Sequence, residues 1–217
     1  MFPLPLWAMV LVGKVRERRA PPRVSASVER GSLTLTQYYT ATTLDGFIAD
    51  EDNSLDWLFT VDRGDNPGSE FTEFFTGVGA MTMGATTYEW VIDHEDLLNH
   101  PERWAVYGDT PCWVFTHREL PVVPGVTIEF VEGDVAPVHE AMAKAAQGKN
   151  IWLVGGGDLV GQFADEGLLD EILVGIAPVT LGTGAPLLPR RLTAFELELV
   201  ELSKQGQFAR LKYRVRR

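Results

Sequence analysis

Hydrophobic positions in this chain come in short runs, and the runs differ in period. LTLTQYY (33–39) alternates apolar and polar residues before turning aromatic, which predicts a first strand with one buried face. AMTMG (80–84) and CWVFT (112–116) are short apolar runs of strand length. VTIEFV (126–131) alternates cleanly, with Val126, Ile128 and Phe130 on one face. IWLV (151–154) and ILVGIAPV (172–179) again read as buried strands, the second apolar enough for the centre of a sheet. FELELVEL and FARLKYRVR then predict two long antiparallel strands. In the last one Arg210, Lys212, Arg214 and Arg216 share a face that reads as solvated, while Leu211, Tyr213 and Val215 share the other.

Between these runs the period lengthens. Phe71, Phe74, Phe75 and Val78 have helical spacing, with Ser69 as a cap candidate, and the stripe reads as core packing. TTYEWVI begins a helix after Gly84. Asp134 as cap, Pro137 in the first turn and Gly148 at the stop frame another. A further helix runs to about Glu166. Residues 41–57 (ATTLDGFIADEDNSLDW) predict a long loop, and loops of that length are often functional. Strands alternating with helices place 32–217 in the α/β class, as one domain with a largely parallel sheet and an antiparallel end.

The first 31 residues are set apart. An apolar start is followed by positive charge, the reverse of a signal peptide, and no small-residue cleavage site is evident. The segment reads as a disordered extension or an upstream start chosen in error, with a membrane-surface anchor as the minority alternative. It carries six basic and two acidic side chains, whereas the remaining 186 residues carry 13 basic and 28 acidic ones. So acidic a body argues against a nucleic-acid partner. No apolar stretch reaches membrane-span length. The lone cysteine, Cys112, lies inside a strand and reads as core, and a reducing cytoplasm fits. His94, His100, His117 and His139 show no metal-ligand spacing, so no metal is expected, and His139 should be exposed on its helix.

Chemistry is sought where strands lead into helices, because open α/β sheets bind ligands there and helix N-termini suit phosphate. Three such places stand out. Gly84 closes a strand before Ala85, Thr86 and Thr87. Thr116, His117 and Arg118 follow another strand, and Arg118 offers a forked phosphate contact. Gly155, Gly156 and Gly157 stand between a strand and the Asp158–Leu159 helix start, where bare backbone suits a pyrophosphate. Each also has a plainer explanation: a helix cap for Thr86, a surface loop for Arg118, a tight turn for a glycine. The run departs from G-x-G-x-x-G, since Val160 occupies the last position, and no phosphate-binding G-x-x-x-x-G-K-[ST] or G-x-S-x-G elbow is present.

TLDGFIADEDNSLDWL, FFTGVGAMTMGATTYEWV, VFTHREL and WLVGGGDLVGQFADEGLLDEILVGIAPVTLGTGAPLL occur in this order. Together they resemble the dihydrofolate reductase-like superfamily, and more closely the C-terminal reductase domain of the bifunctional riboflavin-biosynthesis protein (the RibD C-terminal type). The resemblance spans about 33 to 217. It implies a twisted, mostly parallel central sheet flanked by helices, an NADPH site, and hydride transfer to a C=N bond or a ring-opened sugar of a small-molecule substrate. It also implies a homodimer. By the same resemblance, the segments around Gly84–Thr87 and Thr116–Arg118 take the adenosine-phosphate side of the cofactor. The glycine turn with Asp158 and Leu159 takes the pyrophosphate. The loop with Thr43, Asp45, Gly46 and Ile48 lies over nicotinamide and substrate. Asp45 is the candidate catalytic acid, Trp57 a pocket wall and Glu70 a candidate substrate carboxylate.

Departures from the family pattern bear on specificity. Ala85 stands where an arginine favours the NADP 2′-phosphate, Phe47 where riboflavin-pathway reductases carry lysine, and Val154 where they carry glutamate. The leading expectation is an NADPH-dependent reductase of a pterin-like or 5-amino-6-(5-phosphoribosylamino)uracil-like substrate. The alternatives are a non-catalytic dinucleotide-binding protein on the same fold and a ligand-free oligomerisation module.

Overall fold

A computed structural model describes residues 34–64 and 68–217. The expected N-terminal extension, 1–31, and the start of the first expected strand at Leu33 lie outside the described residues. Among the described residues ten strands form: β1 (Thr36–Thr43), β2 (Phe47–Ala49), β3 (Val78–Gly84), β4 (Cys112–Phe115), β5 (Ile128–Val131), β6 (Asn150–Gly155), β7 (Glu171–Ala177), β8 (Ala185–Pro186), β9 (Leu197–Gln205) and β10 (Phe208–Val215). The helices are α1 (Asp56–Phe59), α2 (Ser69–Thr76), α3 (Ala85–Glu95), α4 (Val135–Ala145) and α5 (Gly157–Asp165), with a 3-10 helix at Pro101–Tyr107.

Eight strands make one sheet in the order β5-β4-β3-β6-β1-β7-β10-β9, and β2 pairs with β8 beside it. The first six are parallel, while β10 runs antiparallel to β7 and β9 antiparallel to β10. This is the dihydrofolate reductase-like arrangement, with the antiparallel C-terminal pair where the alternation of 197–215 placed it. Its parallel centre needs cover on both faces. Tyr38 and Tyr39, adjacent on β1, supply it in opposite directions. Tyr39 packs with Phe71, Met83, Trp104, Tyr107 and Trp152, whereas Tyr38 packs with Trp113, Ile151, Leu153, Val160 and Phe163.

Several local expectations change. The 41–57 loop contains the end of β1, β2 and the start of α1. Gly68, in a left-handed conformation, takes the cap position before α2, and Ser69 is already helical. Asp134 occupies the cap position of α4 without a side-chain cap bond. His139 is half-buried rather than exposed, with Nε2 2.8 Å from Thr36 Oγ1, because α4 turns that face towards the sheet. The basic face of β10 carries a row of ion pairs, exposed as expected at Arg214 and Arg216 but half-buried at Arg210 and Lys212: Arg210 with Glu70, Lys212 with Glu171, and Arg214 and Arg216 with Glu198.

Candidate functional site

A cleft of about 440 Å³ opens over the carboxyl ends of the parallel strands, within the range of small-molecule sites. One wall comes from β3, β6 and the starts of α3 and α5. It includes Gly84, Ala85, Thr86, Thr87, Gly155, Gly156, Gly157, Asp158 and Leu159, with Ile48 reaching over from β2. The opposite wall is built by Tyr39 of β1, Phe208 and Arg210 of β10, and Arg63 of the segment that follows α1. β6 and β10 are three strand spacings apart in the sheet, roughly 14 Å.

The three glycines have three different reasons. Gly155 has φ 147°, in the region that favours glycine, and its peptide to Gly156 is cis. Gly157 is an internal packing requirement, because a Cβ there would overlap the Pro186 and Leu187 backbone. Gly156 has neither need. Its φ is −79°, and the nearest atom to an added Cβ is Ile48 Cδ1 at 3.9 Å. Gly84, across the strand gap, is equally unconstrained: its added Cβ would meet nothing closer than Gly156 N, at 3.9 Å. Two bare surfaces thus face the cleft for no reason internal to the protein.

The two helix starts beside these glycines are open as well. Neither α3 nor α5 has a side-chain cap bond, so Thr86 does not serve as a cap. Among the described residues the Thr86 and Thr87 hydroxyls make no hydrogen bond. Asp158, in the first turn of α5, would repel an anion, but Arg190 takes its carboxylate at 3.1 Å and also holds Asp165 at 2.7 Å. Those two carboxylates push the Arg190 guanidinium above its ordinary value, Asp165 foremost. Bare backbone, free hydroxyls and two helix N-termini on one wall fit a dinucleotide phosphate.

Thr116, His117 and Arg118 do not line the cleft. Arg118 is clamped bidentately by Glu89 of α3, at 3.0 and 2.7 Å, and the Thr116 hydroxyl closes the local turn onto Arg118. His117 is exposed and lies 3.6 Å from Glu132. Glu89 is one helical turn beyond Ala85, so the Arg118 fork sits near the wall without forming part of it.

The first loop is a clamp. Thr43 Oγ1 donates to Asp45 Oδ1 at 2.6 Å and accepts from the Phe47 amide. Asp45 Oδ2 accepts from the backbone amides of Leu181 (3.0 Å) and Gly182 (2.7 Å). The Thr43 hydroxyl, and after it these amides, hold the Asp45 carboxyl below the usual carboxylate range. Gly46, with φ 87°, completes the turn, and its carbonyl accepts from the Leu187 amide. Asp45 is exposed and outside the cleft lining, so this set fixes the β1–β2 turn that leads into Ile48. Trp57 is buried against Ala177 and Phe208, behind the far wall. Glu70 does not line the cleft either; its carboxylate lies 3.2 Å from Arg210 Nε.

Two residues of the far wall escape sequence reasoning. Arg210 lies across the sheet, donating to Gln205 Oε1 (2.8 Å) and towards the Tyr39 hydroxyl (3.3 Å). Arg63 donates Nη2 to the Leu58 carbonyl at 2.8 Å, and its cation sits 5.9 Å from the Phe59 ring centre. A glycine inside a strand, Gly175, was a usable signal for Arg210, since it marks a close approach. No sequence signal singles out Arg63.

Residues 35–208 match the model of the RibD C-terminal domain, and the chain belongs to that family. It is 34% identical over 179 residues to the uncharacterized protein YwjB of Bacillus subtilis (strain 168), covering 82% of this chain and 96% of that one. The structure of a Shewanella sp. PV-4 protein assigned to riboflavin biosynthesis superposes with a TM-score of 0.68 at 25% identity, over 85% of this chain and 100% of that one. Dihydrofolate reductase from Enterococcus faecalis, solved with NADP(H), shares the fold at a TM-score of 0.52 and 15% identity, over 84% of this chain and 97% of that one.

Proposed function

We propose that this protein is a pyridine-nucleotide-dependent reductase of a small heterocyclic substrate. The observation that carries the reading is the pair Gly84 and Gly156. Their bare faces turn into the cleft beside two uncapped helix starts, without any packing need of the protein's own. Gly84, Thr86, Thr87, Gly155 and Gly156 would hold the cofactor phosphates, and Ile48 would cover the ring side. A bound reduced nicotinamide supplies the hydride. The chain's own contribution is orientation, exclusion of water by Ile48, Leu58 and Phe208, and a polar far wall for the substrate. Asp45 acts in this reading as a positioning residue, holding the β1–β2 turn that leads into Ile48.

Fluorescence titration with NADPH and NADH tests the reading. Trp90 and Trp152 line the cleft and give an energy-transfer signal to a reduced nicotinamide. Saturable binding at micromolar concentration is expected. Absence of binding by both nucleotides would leave the glycines to the turn alone and overturn the assignment.

A further inference from the structure

The segment that follows β8 is laid along α5 at two bare positions. Gly157 and Gly161 are four residues apart on the helix and share a face. A Cβ at Gly157 would overlap the Pro186 and Leu187 backbone, and one at Gly161 would stand 2.7 Å from Arg190 Cζ. Glycine in mid-helix is unfavourable, and what it allows at 161 is a notch for one guanidinium. The backbone that carries Arg190 is fixed as well. Tyr38 donates its hydroxyl to the Leu187 carbonyl at 3.1 Å, and the Leu187 amide donates to the Gly46 carbonyl at 2.9 Å.

From this notch Arg190 holds carboxylates from both ends of the helix: Asp165 through Nε at 2.7 Å and Asp158 through Nη1 at 3.1 Å, while Gln162 donates to the other Asp158 oxygen at 3.2 Å. The Asp165 contact has a local reason, since a carboxylate in the last turn meets the negative end of the helix dipole. The Asp158 contact has none. A carboxylate in the first turn is already favoured by the dipole, and a pair whose acid is 70% exposed adds little to stability. What sets Asp158 apart is its place. Among the described residues lining the cleft it is the sole carboxylate, beside Gly156 and Gly157 at the helix start. The cations of that lining, Arg63 and Arg210, belong to the opposite wall, and Arg190 stands just outside it, next to Pro189, which is in it. The charge of the glycine wall is therefore set by one pair. With Arg190 in its notch Asp158 is neutralised; without it, an uncompensated negative charge faces any anion on that wall.

We infer that Arg190 is a positioning residue of the cofactor site: acting through Asp158, it sets how much negative charge the glycine wall accepts. This rests on the cleft's being a nucleotide site. The test is titration of the full chain with NADPH and, by calorimetry, with inorganic pyrophosphate, at low and at high salt. The unaltered protein is compared with Arg190→Gln, Arg190→Lys and the double variant Arg190→Gln/Asp158→Asn. Arg190→Gln should weaken both ligands at least about fivefold at low salt and less at high salt, because an exposed charge carries the effect. Arg190→Lys, which keeps a cation in the notch, should lose less than Arg190→Gln. The double variant should return to within about twofold of the unaltered protein although it still lacks the guanidinium, a rescue that a merely structural role does not predict. An Arg190→Gln protein that binds both ligands normally, or a double variant as weak as the single one, would overturn the inference. Failure of the nucleotide reading looks different: pyrophosphate binding keeps this order among the variants, while neither NADPH nor NADH binds. An unaltered protein that binds neither nucleotide nor pyrophosphate overturns both.

Discussion

The guanidinium of Arg210 lies flat over the bare backbone of Gly175. The two residues face each other across the β7–β10 ladder, and Arg210 Nη1 sits 3.1 Å from where a Cβ on Gly175 would stand. Ala41 is the next residue along the same row, on β1. Small residues in two successive strands thus open a channel through which one side chain crosses the sheet from β10 to the Tyr39 hydroxyl. Gly175→Ala requires a shift of a few tenths of an ångström and should cost less than about 1 kcal/mol. Gly175→Val should cost about 1–3 kcal/mol in urea denaturation, by displacing the guanidinium and its contact with Glu70.

The glycine turn allows a paired experiment. Gly156→Ala meets nothing closer than 3.9 Å, so its unfolding midpoint should match that of the unaltered protein, while NADPH affinity falls at least tenfold. Gly157→Ala must overlap the Pro186–Leu187 backbone and should lose about 1–3 kcal/mol of stability. Thermal melts alongside nucleotide titration separate the two; a Gly156→Ala protein that binds NADPH normally would remove the ligand explanation for that glycine.

Cofactor preference turns on Glu89. With Ala85 uncharged and Arg118 held bidentately by Glu89, discrimination between NADPH and NADH should be less than tenfold. Glu89→Gln frees the fork and removes a negative charge near the α3 start, so the NADPH-to-NADH affinity ratio should rise several-fold. An unchanged ratio would place any 2′-phosphate away from Arg118.

Asp45 links acid stability to the β1–β2 turn. Its folded pKa is depressed, chiefly by the Thr43 hydroxyl and then by the Gly182 and Leu181 amides, so the ionised form belongs to the native state. Its contribution is therefore complete above the unfolded value of about 3.9 and is lost as pH falls through the lower folded value. Melting temperature measured from pH 6 down to 2.5 should show a smaller acid-side decline in Asp45→Asn than in the unaltered protein. Turnover should fall in the variant with NADPH affinity nearly intact, because the turn leading into Ile48 is loosened; equal turnover would remove Asp45 from the site's machinery.

What the sequence made legible follows from the range of the interactions involved. Parallel strands such as Glu171–Ala177 are apolar runs, and their burial depends on composition that can be read directly. The glycine run and Gly84 were visible because a strand end leading to a helix is a local pattern. Arg210 was hidden because alternation on β10 gives the same signal for a solvated cation and for one reaching across two strands. Its acidic partner, Glu70, is 140 residues earlier in the chain. Arg63 lay in a turn-like stretch, and the residue that shapes its place, Gly206, belongs to a distant hairpin. Asp45 was singled out as a candidate acid from its loop, but the amides that occupy its carboxylate come from 181–182, beyond the reach of any local pattern.

The place of β10 in the sheet has a consequence for biosynthesis. Tyr39 and Arg210 meet across a separation of 171 residues, and the far wall of the cleft is finished by β10, which follows the other described strands in the chain. A nascent chain carries its glycine turn, and both helix starts, long before it has anywhere to seat a substrate. Closing that long loop is slow compared with local helix formation. Ligand retention therefore reports on synthesis past β10, and a chain released short of Gln205 would present half a groove.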